Sequence, residues 1–129
     1  MSNMAARTQK KILLVEDDDF VGRAYKDGLQ RAGFEVETAT DGNEALKKAK
    51  SIRPDLIILD LVMPIKNGFE VLEELRKDQS FGAVPIFVVS NLGQDTDIEK
   101  AMQLGATDYL VKNQFSMKQV VERIRKSMN

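Results

Sequence analysis

Leu56-Ile57-Ile58-Leu59-Asp60-Leu61-Val62-Met63-Pro64 decides how this chain is read. Four apolar residues run straight into a carboxylate, and a proline stands four positions later. Pro54 bounds the run before it and Pro64 after it. An apolar run that short between two breakers reads as a strand buried on both faces, the pattern of a parallel sheet. Asp60 then stands at the strand's carboxyl end, and open α/β sheets bind ligands outside that edge. A lone Asp in such a place usually ends the strand and caps the next turn. The other strand ends change that balance.

Upstream, Ile12-Leu13-Leu14-Val15 is a first buried strand, ended by Glu16-Asp17-Asp18-Asp19. A helix is predicted from Phe20, with apolar residues at Phe20, Ala24 and Leu29 and with Val21, Tyr25, Gly28 and Ala32 flanking them. Gly33 is placed to end it. Glu35 to Ala39 alternates, which reads as a second strand near an edge. Asp41 followed by Glu44 is the capping-box arrangement, opening a helix through Ala45, Leu46 and Ala49. Downstream of Asp60, Lys66-Asn67-Gly68 is a turn, and Phe69 to Lys77 is a helix with Val71, Leu72 and Leu75 inward. Pro85 introduces a fourth strand, Ile86 to Val89, ended by Ser90. Thr96 with Glu99 reads as another capping box, for a helix through Ile98, Ala101, Met102 and Leu104 that Gly105 closes. Tyr109-Leu110-Val111 is a short fifth strand ended by Lys112. Ser116 with Gln119 caps a last helix carrying Val120, Val121, Ile124 and Met128.

Strict alternation of this kind gives (βα)5, an α/β fold with a doubly wound, parallel, five-stranded sheet. Right-handed crossovers put all strand carboxyl ends on one edge. Residues 1–9 read as a flexible N-terminal arm and residues 10–129 as one domain.

The totals exclude several classes. A net charge of −1 gives no case for nucleic-acid binding. No apolar run approaches eighteen residues, so no transmembrane helix is expected, and the polar start carries no secretory signal. The absence of Cys removes disulfides and thiolate chemistry; the absence of His removes the usual general base and the commonest zinc ligand. Any chemistry falls to carboxylates, hydroxyls, lysines or a hard metal.

Four strands deliver such groups to the carboxyl edge: Glu16, Asp17 and Asp18 after the first, Asp60 after the third, Ser90 after the fourth and Lys112 after the fifth. Carboxylates crowded together repel one another unless a cation sits among them. Oxygen-only ligands suit Mg²⁺ or a similar ion. A carboxylate beside a metal and a lysine is equipped to accept a phosphoryl group, with the cations neutralising phosphoryl oxygens. Asp18 and Asp19 read instead as a helix cap and a first-turn acid. The positions of Val21 and Gly28 rule out an EF-hand loop.

Leu14-Val15-Glu16-Asp17-Asp18, Leu59-Asp60 with Met63-Pro64 and Asn67-Gly68, Val89-Ser90, Gly105-Ala106 and Tyr109-Leu110-Val111-Lys112 together resemble the receiver domain of bacterial two-component response regulators. The likeness runs over nearly all of Lys10 to Met128. It implies a flavodoxin-like, CheY-like fold with strand order 2-1-3-4-5. It implies that Asp60 is the phosphoacceptor and that Lys112 pairs with the phosphoryl group. It implies a site for Mg²⁺ or Mn²⁺ made by Asp17, Asp60 and the Val62 backbone carbonyl, with Glu16 acting through water. Ser90 matches the switch hydroxyl and Tyr109 the aromatic coupled to it. A sensor histidine kinase or histidine phosphotransfer protein would supply the phosphoryl group, and a downstream protein would read the state, in the cytoplasm. The expectation is a stand-alone switch with no DNA-binding domain and no membrane contact, and not a turnover enzyme. A phosphorylation-independent interaction module of the same fold is the alternative. A flavin- or nucleotide-binding protein is disfavoured, because the acidic loop after the first strand repels phosphate.

Two departures from the family pattern stand out. Asn113 comes after Lys112 where most receivers have proline, often in a cis peptide. A non-proline cis bond costs roughly 2.5–4 kcal/mol, so a trans bond and a rearranged loop are expected, with Phe115 near the family's aromatic position. Val62 and Leu92, two residues after Asp60 and Ser90, are apolar. Neither can orient an attacking water, so slow hydrolysis of an aspartyl phosphate is expected.

Overall fold

The computed structural model describes residues 9–128. The arm expected at residues 1–9 therefore lies, apart from Gln9, outside the described residues. The elements are β1 (Lys11–Val15), α1 (Asp19–Arg31), β2 (Glu35–Ala39), α2 (Gly42–Ile52), β3 (Leu56–Leu59), α3 (Gly68–Lys77), β4 (Ile86–Ser90), α4 (Asp95–Gln103), β5 (Asp108–Val111) and α5 (Met117–Met128), with single 3-10 turns at Gln79–Phe81 and Lys112–Gln114. The sheet has the order β2-β1-β3-β4-β5 and every pairing is parallel. This is the five-stranded, flavodoxin-like arrangement expected.

The period-2 alternation of each strand builds two cores. Leu13, Val15, Ile57, Leu59 and Val88 face α2, α3 and α4, meeting Ala49, Val71, Leu72 and Ala101. Ile12, Leu14, Ile58, Phe87 and Val89 face α1 and α5, meeting Leu29, Val120 and Ile124. All four residues of β3 are at most 1% exposed. Burying one such side chain stabilises by about 1.5–3 kcal/mol, so β3, like the fully buried β4, is firmly held and its end is a fixed point. At the sheet edge, β2 buries Val36 and Ala39 and leaves Glu35 and Glu37 in solvent.

The helices depart from the sequence reading in places. Phe20 is 84% exposed and Ala24 is also exposed. The Asp18 carboxylate accepts the Val21 N–H at 3.0 Å and starts the helix at Asp19. That start turns Val21, Tyr25, Gly28, Leu29 and Ala32 inward, and a residue one position earlier lies ~100° around the helix. In α4 the expected Thr96–Glu99 box is absent: the helix starts at Asp95, and its N-cap Gln94 makes no side-chain cap bond. Met102 is 44% exposed rather than core. Conversely, Asn67, read only as a turn residue, forms a reciprocal capping box with Glu70 at 3.0 Å each way. The Ser116–Gln119 box is present as expected. Asp41 caps Glu44 at 2.8 Å, while the Glu44 carboxylate reaches one residue further back, to the Thr40 N–H. Gly33 and Gly105 end α1 and α4 at φ of 100° and 108°.

No cis peptide occurs among the described residues, so Lys112–Asn113 is trans as expected. Phe115 packs against the α1/α5 core with the Arg123 guanidinium 5.2 Å from its ring centre. Among the described residues, no helix is long and apolar enough to cross a membrane.

Candidate functional site

Parallel register decides which side chains meet at the carboxyl edge. Val15 pairs with Leu59, so Glu16 and Asp60 leave the sheet side by side. The Asp60 N–H donates to the Val15 carbonyl and the Glu16 N–H to the Ala39 carbonyl, each at 3.0 Å. Ser90 pairs with Val111, which places Lys112 just beyond the edge on the other side. Lys112 reaches back across the gap: its Nζ lies 2.5 Å from Glu16 Oε1 and 3.2 Å from Asp60 Oδ2.

Both carboxylates are buried, Glu16 at 8% and Asp60 at 6% exposure. Asp60 Oδ1 accepts the Leu61 N–H at 2.7 Å and lies 3.4 Å from the Val62 nitrogen. Glu16 Oε2 accepts the Asp18 N–H at 3.2 Å. Asp17 is exposed at the mouth, and one oxygen from each of Glu16, Asp17 and Asp60 lies within 4.8 Å of the others. Two buried carboxylates that close repel by on the order of 3 kcal/mol at an effective dielectric of ~20. The Lys112 ammonium between them offsets that repulsion. Burial pushes the Glu16 carboxyl above its usual range, against the Lys112 hydrogen bond, and Asp60 pushes it the same way. Burial pulls Lys112 down, but the Glu16 and Asp60 carboxylates outweigh it and hold the ammonium charged above an ordinary lysine.

The donor set fits a hard divalent cation. It offers carboxylate oxygens only, in a chain without His or Cys, and Mg²⁺ and Mn²⁺ prefer such ligands. Asp17, Asp60 and Glu16 are the residues that could hold it, and Val62 lies next around the same turn from Asp60. The Val62 side chain itself is 60% exposed.

The β3–α3 turn is pinned under this cluster. A Cβ on Gly68 would lie 2.2 Å from the Asp60 carbonyl oxygen and 2.6 Å from Leu61 Cα. Only glycine lets the start of α3 approach so closely, and the Gly68 N–H closes the turn on the Leu61 carbonyl at 2.9 Å. Ile65 holds φ of 69° inside it, where the Lys66 N–H bonds to the Pro64 carbonyl at 2.7 Å, the rarer and strained form of γ-turn.

Ser90 and Tyr109 converge elsewhere, on Leu92. Ser90 is fully buried, and its Oγ accepts the Leu92 N–H at 3.2 Å. The Tyr109 hydroxyl donates to the Leu92 carbonyl at 2.5 Å. Burial raises the Tyr109 hydroxyl's pKa, helped by Asp97. No residue pattern signals that Leu92 anchors both groups, because its backbone does so. Tyr25 on α1 is a further group that sequence reasoning passes over, since its spacing marks it only as a helix-flank residue. It is half-buried and feels the charges of Lys112, Glu16 and Asp60, with burial as the main cause of its raised pKa.

Comparison with known proteins agrees with this geometry. The family model for the response regulator receiver domain matches residues 12–125. The chain is 41% identical over 117 residues to the probable transcriptional regulator ycf27 of Cyanophora paradoxa, covering 91% of this chain and 47% of that protein. It is 39% identical over 116 residues to the alkaline phosphatase synthesis transcriptional regulatory protein PhoP of Bacillus subtilis, covering 90% and 47%. The chain thus spans about half the length of these curated relatives. Chemotaxis protein CheY4 of Vibrio cholerae has a TM-score of 0.87 at 33% identity, covering 93% of this chain and 99% of that one. The receiver domain of a Francisella response regulator gives 0.86 at 28% identity, covering 93% and 97%. With the family pattern matched from Ile12 to Arg125 on this sheet, the chain belongs to the response regulator receiver domain family.

Proposed function

We propose that this receiver domain accepts a phosphoryl group on the Asp60 carboxylate and passes the change on as a conformational signal. The observation that carries the reading is the Lys112 ammonium 3.2 Å from Asp60 Oδ2, beside the carboxylates of Glu16 and Asp17. A phosphohistidine on a sensor kinase or phosphotransfer protein is the natural donor. An Asp60 oxygen bonds to phosphorus as the P–N bond breaks, and the imidazole leaves with that electron pair. Lys112 holds the incoming phosphoryl oxygens and neutralises their charge. Mg²⁺ or Mn²⁺ held by Asp17, Asp60 and the Val62 carbonyl, with Glu16 acting through water, would supply further charge neutralisation. Phe20, Val62 and Ile65, at 84%, 60% and 76% exposure, lie on the segments that follow Asp19 and Asp60 and would offer apolar side chains to a donor protein docking there.

Ser90 and Tyr109 carry the response. Ser90 turning its hydroxyl toward the phosphoryl group releases the Leu92 N–H, and Tyr109 then loses its hold on the same residue. The segment before α4 shifts, and the surface around α4, β5 and α5 presents the signal to a downstream protein, or the phosphoryl group is relayed onward. The protein acts in this scheme as a cytoplasmic switch rather than as a turnover enzyme.

Intact-protein mass spectrometry after incubation with Mg²⁺ and a small phosphodonor tests this. One phosphoryl adduct is expected, absent without Mg²⁺ and absent in Asp60→Asn. A folded protein that takes no adduct under donor excess would sink the reading in favour of a phosphorylation-independent interaction module.

A further inference from the structure

A cavity of about 210 Å³ lies between α1 and the carboxyl ends of β1 and β2. The pleat builds its floor. Leu14 faces the α1/α5 core and pairs with Thr38, so the two stand side by side on that face. Glu16 and Thr40, two positions further along each chain, continue the row past the sheet edge. Over this row α1 carries a glycine, Gly22. Nothing in the backbone asks for glycine there. Gly22 lies inside the helix without a positive φ, and an added Cβ would meet its nearest neighbour, Glu16 Cγ, at an ordinary 3.7 Å. Glycine inside a helix costs stability relative to alanine. Its effect here is to leave open a space that a longer side chain would fill.

The walls of the cavity are polarised. Asp18 and Asp19 stand at the start of α1, with Arg23 and Lys26 one and two turns further on. Asp19 and Arg23 are four apart, a spacing at which opposite charges meet on one helix face. Yet among the described residues neither Arg23 nor Lys26 has an ion pair or a side-chain hydrogen bond, and the Thr38 hydroxyl has no partner. The Thr40 hydroxyl donates to Glu44 Oε1 at 3.1 Å and keeps its lone pairs. Glu16 is balanced by the Lys112 ammonium at 2.5 Å. Two acids at one end and two cations at the other therefore set the field inside.

We propose that this cavity binds a small zwitterion of amino-acid size. Its carboxylate sits between Arg23 and Lys26, whose like charges three residues apart repel until an anion joins them. Its ammonium faces Asp18 and Asp19, and a short polar side chain meets the Thr38 and Thr40 hydroxyls. The space equals about seven waters at ~30 Å³ each, the bulk of a molecule such as serine or asparagine. A simple anion would meet the two aspartates, and a simple cation the two basic residues. Of the clustered carboxylates at the sheet edge only Glu16 lines this cavity, and binding here does not depend on Asp60 accepting phosphate.

Titration of isotope-labelled protein with L-serine in metal-free buffer, followed by amide NMR spectra, tests this. Saturable shifts are expected at Gly22, Arg23, Lys26, Thr38 and Thr40, with a Kd in the millimolar range. Acetate and ethylammonium, which carry one of the two charges each, should bind at least about tenfold more weakly. Gly22→Leu fills the space and should abolish the shifts. Lys26→Gln should weaken binding by about tenfold through one lost charged hydrogen bond, and it serves if Gly22→Leu does not fold. No saturable shift with L-serine or L-asparagine in large excess overturns the proposal. So do shifts that persist in Gly22→Leu, or acetate binding as tightly as L-serine.

Discussion

Two loops leave neighbouring strands at the same edge of the sheet, and they are held in opposite ways. The turn from Asp60 to Asn67 is fixed at both ends: Gly68 packs against the Asp60 backbone, and Asn67 and Glu70 cap α3 reciprocally. It even tolerates a β-branched residue, Ile65, at positive φ, a conformation that persists only where the surroundings over-determine it. The segment from Asn91 to Gln94 has no such support. Its helix starts without a side-chain cap, and Leu92 is held by one hydrogen bond to Ser90 and one from Tyr109. The proposed chemistry, which needs fixed geometry, sits on the first loop, and on the second few bonds oppose movement. The contrast suits a switch whose chemical centre must not move while its readout must.

The sharpest way to break this contrast is Gly68→Ala. The new Cβ would have to displace backbone at Asp60 and Leu61. Overpacking against backbone should cost about 3 kcal/mol, seen as a lower urea midpoint, together with slower adduct formation on Asp60. A midpoint within error of wild type would show that the turn gives way, and the rigid half of the contrast would fail.

A second change acts across both loops. Val62 stands on the rigid turn and Leu92 on the loose one, and neither can hold a water. Val62→Asn combined with Leu92→Glu should shorten the lifetime of phosphorylated Asp60 about tenfold, through orientation of the attacking water. The check is the half-life of the phosphoryl adduct by mass spectrometry. An unchanged half-life would mean that the apolar residues are not what slows hydrolysis.

Much of this contrast is legible in the residues alone, and the gaps have physical reasons. The bounds of β2 and β3 can be read to the residue, because breakers and burial pattern coincide there. The meeting of Glu16 with Asp60 depends on β1 lying beside β3, which periodicity does not give and the family resemblance does. Phe20 misleads because an exposed apolar residue beside a site looks like core until the Asp18 cap fixes the rotation of α1. Thr96 misleads because a residue pattern for capping does not say which residue the chain enters on. Leu92 is invisible because its role lies in its N–H and carbonyl, which every residue has. Gly68 reads as a turn, and only the packed turn shows why no other residue fits.

Supplying the missing cap should narrow the gap between the loops. Gln94→Ser offers a hydroxyl to the orphan N–H groups of α4, and an N-cap of this kind stabilises by about 0.5–1 kcal/mol. Thermal or urea unfolding should show that gain. The phosphorylation-dependent change in amide exchange over α4 should shrink at the same time, since the starting state is then better held. A gain in stability with an undiminished response would separate the cap from the switch.

The smallest expected effect tests whether the loops are independent. Tyr109→Phe removes only the hydroxyl that donates to the Leu92 carbonyl. A hydrogen bond at a half-buried position contributes about 0.5–1 kcal/mol, so global stability should fall little. Amide exchange at Leu92 and Gly93 should nevertheless quicken by severalfold, because Ser90 alone then holds the segment. The Leu61 amide, bonded to Asp60 Oδ1 at 2.7 Å on the other loop, should exchange as before. Faster exchange at both would mean that the two loops share one opening motion. The proposed phosphoacceptor would then be as mobile as its proposed readout, and the division of labour between them would have to be sought elsewhere than in how each loop is held.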